Sequence, residues 1–108
     1  MTMGLDRALE QVGDRWSLAI IEAVLAGHHR FGELESAIPG LAANILSQRL
    51  RHLEAAGVLT ARPYQRRPPR FAYEATDRGR SLGPAIDALA AWGTGEGRPE
   101  PDEGVVWI

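Results

Sequence analysis

The chain has 108 residues, enough for one domain around one hydrophobic core, and its 44% hydrophobic and 24% charged composition is that of an ordinary globular domain. No apolar run approaches the length of a membrane span, and the absence of cysteine excludes disulfides, thiolate metal sites, cysteine nucleophiles and thiol redox sensing. The formal net charge of −2 is unevenly laid: residues 1–40 hold 3 Arg against 6 acids, residues 41–80 hold 8 Arg against 3 acids, and residues 81–108 hold 1 Arg against 5 acids. A basic block between two acidic ones is the distribution expected of a localised polyanion-binding face. All 12 basic residues are Arg, beside 16 Ala, which fits a GC-rich coding bias, so the position of an arginine carries more information than its identity. The Met1-Thr2-Met3-Gly4 start leads from no basic stretch into an apolar one, so no signal peptide is expected and a cytoplasmic location is.

In chain order, Leu5–Val12 reads as a short helix with Leu5, Ala8, Leu9 and Val12 on one face, ended by Gly13. Asp14 is placed to cap a second helix, Arg15–Ala26, which is apolar nearly all round and therefore belongs in the middle of the core. Gly27-His28-His29-Arg30 is a turn. Phe31–Ile38 is a short helix stopped by Pro39-Gly40. The most clearly amphipathic helix is Ala43–Ala56, with Gly57 in a C-terminal cap position. At about 100° per residue, Leu46, Leu50 and Leu53 form one stripe. Asn44, Gln48 and Arg51 lie opposite it, with Ser47 on the flank and His52 at the border. Val58–Arg62 and Phe71–Ala75 read as two strands joined by a long proline-stiffened loop, residues 63–70, that carries Arg66, Arg67 and Arg70. Thr76 is placed to cap a last helix, Asp77–Trp92, which Pro84 should kink or loosen and Gly93 should end. An acidic tail rich in Gly and Pro follows and closes on Val105-Val106-Trp107-Ile108.

This order of elements defines an α+β, mainly α, winged helix-turn-helix with a C-terminal dimerisation helix, occupying residues 1–93 with a tail over 94–108. Its core should contain Trp16, Ile20, Val24, Phe31, Leu34, Leu46, Leu50 and Leu53, and should hold the fourth helix at a fixed angle so that its polar face enters the major groove of double-stranded DNA. The candidate DNA-binding residues are Asn44, Ser47, Gln48 and Arg51 on that helix. Arg66, Arg67 and Arg70 in the loop are placed to reach flanking phosphates or the minor groove.

Five motifs, in order and at compatible spacings, resemble those of the HxlR-type, MarR-like bacterial transcriptional regulators. They are Gly13-Asp14-Arg15-Trp16, Arg30-Phe31-Gly32-Glu33-Leu34, Leu46-Ser47-Gln48-Arg49-Leu50-Arg51-His52-Leu53-Glu54, Pro68-Pro69-Arg70-Phe71-Ala72-Tyr73 and Thr76-Asp77-Arg78-Gly79-Arg80. The resemblance implies a homodimer held by the first and last helices, binding an inverted-repeat operator, with no enzymatic activity. Two departures stand out. Members of the family commonly carry an N-terminal sensing cysteine, absent here, and commonly begin the recognition helix with Ser-Pro-Lys, where this chain has Ala42-Ala43-Asn44.

Other residues admit more than one reading. Trp16 is a core residue; Trp92 is either dimer core or the wall of a ligand pocket between subunits, in which Trp16, Trp92 and Trp107 would meet a small non-thiol effector. Adjacent His28 and His29 lack a third ligand at helical spacing, so a solvated turn is expected and no metal or cofactor. Arg49, beside the buried stripe, is expected to pair with an acid such as Glu33, Glu35 or Glu54 rather than to touch DNA. Arg78 and Arg80 sit where the helix dipole disfavours cations, which implies a phosphate contact or a salt bridge. The apolar end of the tail either docks on the partner subunit or is unstructured. The competing reading of the whole chain is a winged-helix scaffold turned to small-molecule binding or catalysis at a dimer cavity. Against it stand the lack of a His-Glu pair at ligand spacing, of a phosphate-binding glycine loop and of a serine in a nucleophile-elbow context.

Overall fold

The computed structural model describes residues 3–95. The helices are α1 (Met3–Val12), α2 (Ser17–Leu25), α3 (Phe31–Ala37) and α4 (Ala43–Ala55). The antiparallel pair β1 (Leu59–Arg66) and β2 (Pro69–Ala75) follows, and then α5 (Asp77–Arg80) and α6 (Gly83–Thr94). The core has α2 at its centre: Ile20 and Ile21 are fully buried, and they meet Val24, Leu34, Leu46, Leu50, Leu53 and Val58. Trp16 and Phe31 are partly buried against this cluster rather than enclosed by it. The helix begins later than its sequence suggested, at Ser17, yet Asp14 still serves its first turn. The carboxylate accepts the N–H groups of Trp16 and Ser17, each at 3.1 Å, and the fully buried Ser17 hydroxyl donates to it as well.

Helix α4 packs its Leu46-Leu50-Leu53 stripe into the core as its period requires. At its start Ala42 takes the N-cap backbone conformation but offers no side-chain cap, and at its end Gly57 adopts φ +73°, a conformation costly for any residue with a Cβ. The Gly57 and Val58 carbonyls are then gathered by Thr76, whose hydroxyl lies 2.6 Å and 3.1 Å from them and also accepts the Gly79 N–H. Gly79 is buried so closely against the Val58 carbonyl that a Cβ there would collide with the backbone. Gly79→Ala should therefore cost about 1–3 kcal/mol, read as a lowered urea midpoint; an unchanged midpoint would mean that α5 is free to move off β1.

Three boundaries differ from expectation. The strands run further into the proline-rich segment than Val58–Arg62 and Phe71–Ala75, leaving only Arg67 and Pro68 as the turn. Pro63 and Pro69 are accommodated because a two-stranded ribbon has a free edge on each strand, where a missing N–H breaks no ladder bond. The last helix is not one kinked rod. It is broken at Ser81-Leu82, and Pro84 lies in the first turn of α6, where no intrahelical N–H is required. Finally, α6 passes through Gly93 to Thr94, and Gly95 takes the left-handed cap conformation, φ +82°. Beyond Gly95, the tail including Trp107 and the apolar end lies outside the described residues.

Candidate nucleic-acid interface

Two groups of polar side chains stand out from this frame. On α4 the structure brings Asn44, Ser47, Gln48 and Arg51 to the face opposite the buried stripe; Asn44, Gln48 and Arg51 are exposed and Ser47 is half-exposed. The Arg51 guanidinium donates to the Ser47 hydroxyl at 3.3 Å, so two of the four are already oriented together. At the end of the ribbon, Arg66 faces Pro69 and Gln65 faces Arg70 across the register, which collects Arg66, Arg67 and Arg70 at one exposed tip. Arg51 also lies near enough to Tyr73 of β2 for its charge to act on the phenol. Burial, and secondarily the Glu54 carboxylate, outweigh that charge and raise the Tyr73 pKa above its ordinary value, so the hydroxyl stays neutral.

The ribbon is fixed to the body at its base. His29 accepts the Tyr73 N–H at 2.8 Å through its own carbonyl, its Nδ1–H donates to the Tyr73 carbonyl at 2.8 Å, and Arg30 forms a single antiparallel bridge with Ala72. A bulge between Pro63 and Gln65 turns Tyr64 out of register, and the Arg30 guanidinium lies over its ring, 4.4 Å from the centroid. The Arg30 and His29 N–H groups both donate to Glu33 at the head of α3, at 2.9 Å and 3.0 Å, and these bonds hold the Glu33 carboxyl below its ordinary pKa. Sequence reasoning missed the Arg30–Tyr64 contact; its only signal was an aromatic residue inside the proline-rich loop. His29 is thus a structural residue of the turn, half-buried rather than freely solvated, and among the described residues no group of three potential metal ligands occurs.

Arg49 pairs with an acid, as its place beside the buried stripe suggests, and that acid is Asp14 rather than Glu33, Glu35 or Glu54: its Nη1 lies 3.3 Å from the Asp14 carboxylate, tying α4 to the head of α2. One expectation about α4 needs correction. His52 does not present its ring to the recognition face; Nε2–H donates to the Gln11 carbonyl of α1 at 2.7 Å. Arg80 bonds to Asp77 and, at 2.7 Å, to the Ala75 carbonyl, whereas Arg78 reaches the Gln11 side chain at 2.6 Å. Trp16 is half-buried beneath the Arg15 guanidinium, and Trp92, 72% exposed, lies in the last turn of α6. Neither lines the cleft at the base of the ribbon nor the one beneath α1.

Asp14 carries a measurable consequence. Burial opposes its ionisation and is the largest single influence, but the bonds from the Ser17 hydroxyl and from the Trp16 and Ser17 N–H groups, with the Arg49 charge, outweigh it and lower its pKa from 3.8. A carboxyl depressed in the folded state contributes stability that is present above its unfolded pKa and is lost as pH falls through the lowered native value. Asp14→Ala should therefore destabilise by about 1 kcal/mol near neutral pH. The gap in urea midpoint between the variant and the parent should narrow as the pH is taken below 3.8; a gap independent of pH would assign the loss to packing instead.

A helix–turn–helix whose second helix shows a hydrogen-bonding face, followed by a ribbon with a cationic tip, defines a winged helix-turn-helix DNA-binding transcriptional regulator rather than an enzyme. Residues 11–101 match the HxlR-like helix-turn-helix family, and the chain belongs to it. It is 35% identical over 89 residues to the HTH-type transcriptional regulator YvaP of Bacillus subtilis, covering 82% of each chain. It is 36% identical over 91 residues to YtcD of the same organism, covering 84% of this chain and 72% of that one. The crystal structure of ytcD superposes with a TM-score of 0.77 over 87% of this chain and 95% of that one, at 36% identity. The reduced form of the redox regulator HypR gives 0.77 over 84% and 90%, at 28% identity.

Proposed function

We propose that the protein acts in the cytoplasm as a homodimeric, sequence-specific repressor that binds an inverted-repeat operator and responds to a small non-thiol molecule. The observation that carries the reading is the pairing of a hydrogen-bonding face on α4, locked from behind by a fully buried leucine stripe, with three exposed arginines at the wing tip. Asn44, Ser47, Gln48 and Arg51 read base edges, and Arg66, Arg67 and Arg70 contact phosphates or the minor groove. Dimerisation is supported by the large apolar side chains left exposed on the first and last helices: Met3, Leu5 and Leu9 on α1, and Leu89 and Trp92 on α6. Two recognition helices would then engage half-sites about 34–36 Å apart, and a change of a few ångströms in their spacing is enough to release one of them. With no cysteine in the sequence, such a change does not run through a thiol.

The wing gives the direct test. In anisotropy titrations over a salt series, wild-type protein should bind its upstream duplex as two chains per site, and log K should fall steeply with log salt. The Arg66→Ala/Arg67→Ala variant should flatten that slope by about 0.9 for each phosphate that is no longer neutralised. An unchanged slope would take the wing out of the interface, and one chain per duplex would remove the dimer.

A further inference from the structure

The outer half of the wing has little of its own to hold it. Residues 62–70 are all exposed. Among the described residues, their side-chain hydrogen bonds and ion pairs stay within the ribbon: Arg62 to Glu74 at 3.1 Å, and Gln65 to the Arg67 carbonyl at 3.2 Å. A two-stranded ribbon without a buried face is marginal in water, and nothing in its own bonds stops it from swinging about its base. The bonds at that base lie at Tyr73, and about 13 Å of β2 separates this residue from Pro69 at the tip. A swing of about 20° would carry the tip through about 5 Å, further than a guanidinium–phosphate hydrogen bond tolerates.

A contact from the body does reach past the base. The bulge between Pro63 and Gln65 takes Tyr64 out of register, and the Arg30 guanidinium lies 4.4 Å from the centroid of its ring. Arg30 delivers that charge from a fixed point, because its N–H donates to Glu33 at 2.9 Å and its backbone bridges Ala72. Around the contact, α3 and the ribbon are parted by an open cleft of about 490 Å³, with Phe31 and Glu33 on one wall and Arg70 and Phe71 on the other. Phe71 remains 42% exposed there, so apolar packing does not seat the outer ribbon on α3. Tyr64 lies two residues, about 7 Å, before Arg66, so what fixes Tyr64 also fixes the tip.

We propose that Arg30 and Tyr64 form a clasp that holds the wing at the angle at which Arg66, Arg67 and Arg70 meet DNA, and that both are positioning residues for DNA binding rather than DNA contacts. The positioning role rests on the reading of the wing given above; the clasp itself does not. When the binding-competent state is only partly populated, affinity falls in proportion to its fraction. An exposed cation–π pair shifts such an equilibrium by about two- to fivefold. The two wings of a dimer together would then change affinity by about four- to twentyfold. The phosphates neutralised in the complex are the same with the clasp or without it, so the salt dependence of binding does not change.

The test uses Arg30→Met, which keeps an aliphatic stem without the charge, Tyr64→Leu, which removes the ring from a strand position, and the double variant. Backbone amide relaxation of the free full chain should show order parameters at Gln65, Arg66 and Arg67 falling from about 0.85 toward 0.6 in either single variant, with the urea midpoint unchanged. Arg30→Lys and Tyr64→Phe, which retain a cation and a ring, should keep the wild-type values. Unchanged order parameters in Arg30→Met and Tyr64→Leu overturn the clasp. In anisotropy titrations on the upstream duplex, each single variant should bind about four- to twentyfold more weakly. The double variant should bind no more weakly than either, and all three should keep the wild-type salt slope. Additive losses, or a slope flattened in Arg30→Met by about 0.9 per chain, would make Arg30 a phosphate contact and overturn the positioning role. Wild-type affinity in a variant whose wing has loosened overturns it as well. A wild-type protein that fails to bind DNA, or an Arg66→Ala/Arg67→Ala variant with unchanged affinity and slope, overturns the reading of the wing and with it the positioning role, while the order parameters still decide the clasp.

Discussion

Leu50→Ala is expected to lower the unfolding free energy by about 2–5 kcal/mol, a large share of the roughly 5–15 kcal/mol that holds a domain of this size together. Leu50 is only 1% exposed and sits between Leu46 and Leu53 on the buried face of α4, within the cluster built on Ile20, Ile21, Leu34 and Val58. Truncation leaves a cavity under the recognition helix in addition to the lost burial, and neighbours packed this closely cannot relax to fill it. The polar anchors of α4, Arg49 to Asp14 and His52 to Gln11, lie beside the stripe and cannot replace it. Urea denaturation reads the effect directly. A loss below about 1 kcal/mol would show that α4 is held by its edges rather than by the leucine stripe.

Gln48→Glu/Arg51→Glu is expected to remove operator binding with little change in fold stability. Both side chains are exposed, so the stability cost should stay within about 0.5 kcal/mol. Removing a side chain that reads a base edge costs about 1–3 kcal/mol of binding, and the two new carboxylates would face phosphates, so binding should weaken by about a hundredfold or more. The substitution also ends the Arg51–Ser47 hydrogen bond, so discrimination between operator and scrambled sequence should fall along with affinity. Equal unfolding midpoints beside a collapsed anisotropy signal would separate recognition from folding. Retained sequence preference in the double variant would move base readout off this face.

How much of this was legible in the sequence varied with the range of the interaction responsible. Helix α4 could be read because its information is local: three leucines at helical spacing on one side, polar residues on the other, and Gly57 to end it. The basic wing could be read from the clustering of Arg66, Arg67 and Arg70, although its strands proved longer because Pro63 and Pro69 sit on free edges. Pro84 misled in the opposite sense. A proline inside an apolar helical pattern suggests a kink, but the chain breaks two residues earlier, after Thr76 has gathered the Gly57 and Val58 carbonyls and Gly79 has closed against the latter.

The interactions that position the site had no local signature. Arg49 could be seen to lie beside the buried stripe, and a carboxylate partner could be expected, but only the packing of α2 against α4 selects Asp14 over three acids nearer in sequence. His52 likewise faces α1 because α1 crosses there, which helical angle alone does not reveal. The Arg30–Tyr64 contact requires both the bulge in β1 and the bridge between Arg30 and Ala72. In each case residue type announced a capacity and tertiary structure chose the partner.

That the α4 face and the wing together make a sequence-reading surface is checked by fluorescence anisotropy of the wild-type protein on its own upstream intergenic duplex and on a scrambled duplex of the same composition, across a salt series. A specific reader should prefer the upstream duplex by about a thousandfold or more, and the preference should persist as salt weakens binding to both. Weak, shallow and equal binding to the two duplexes would contradict it.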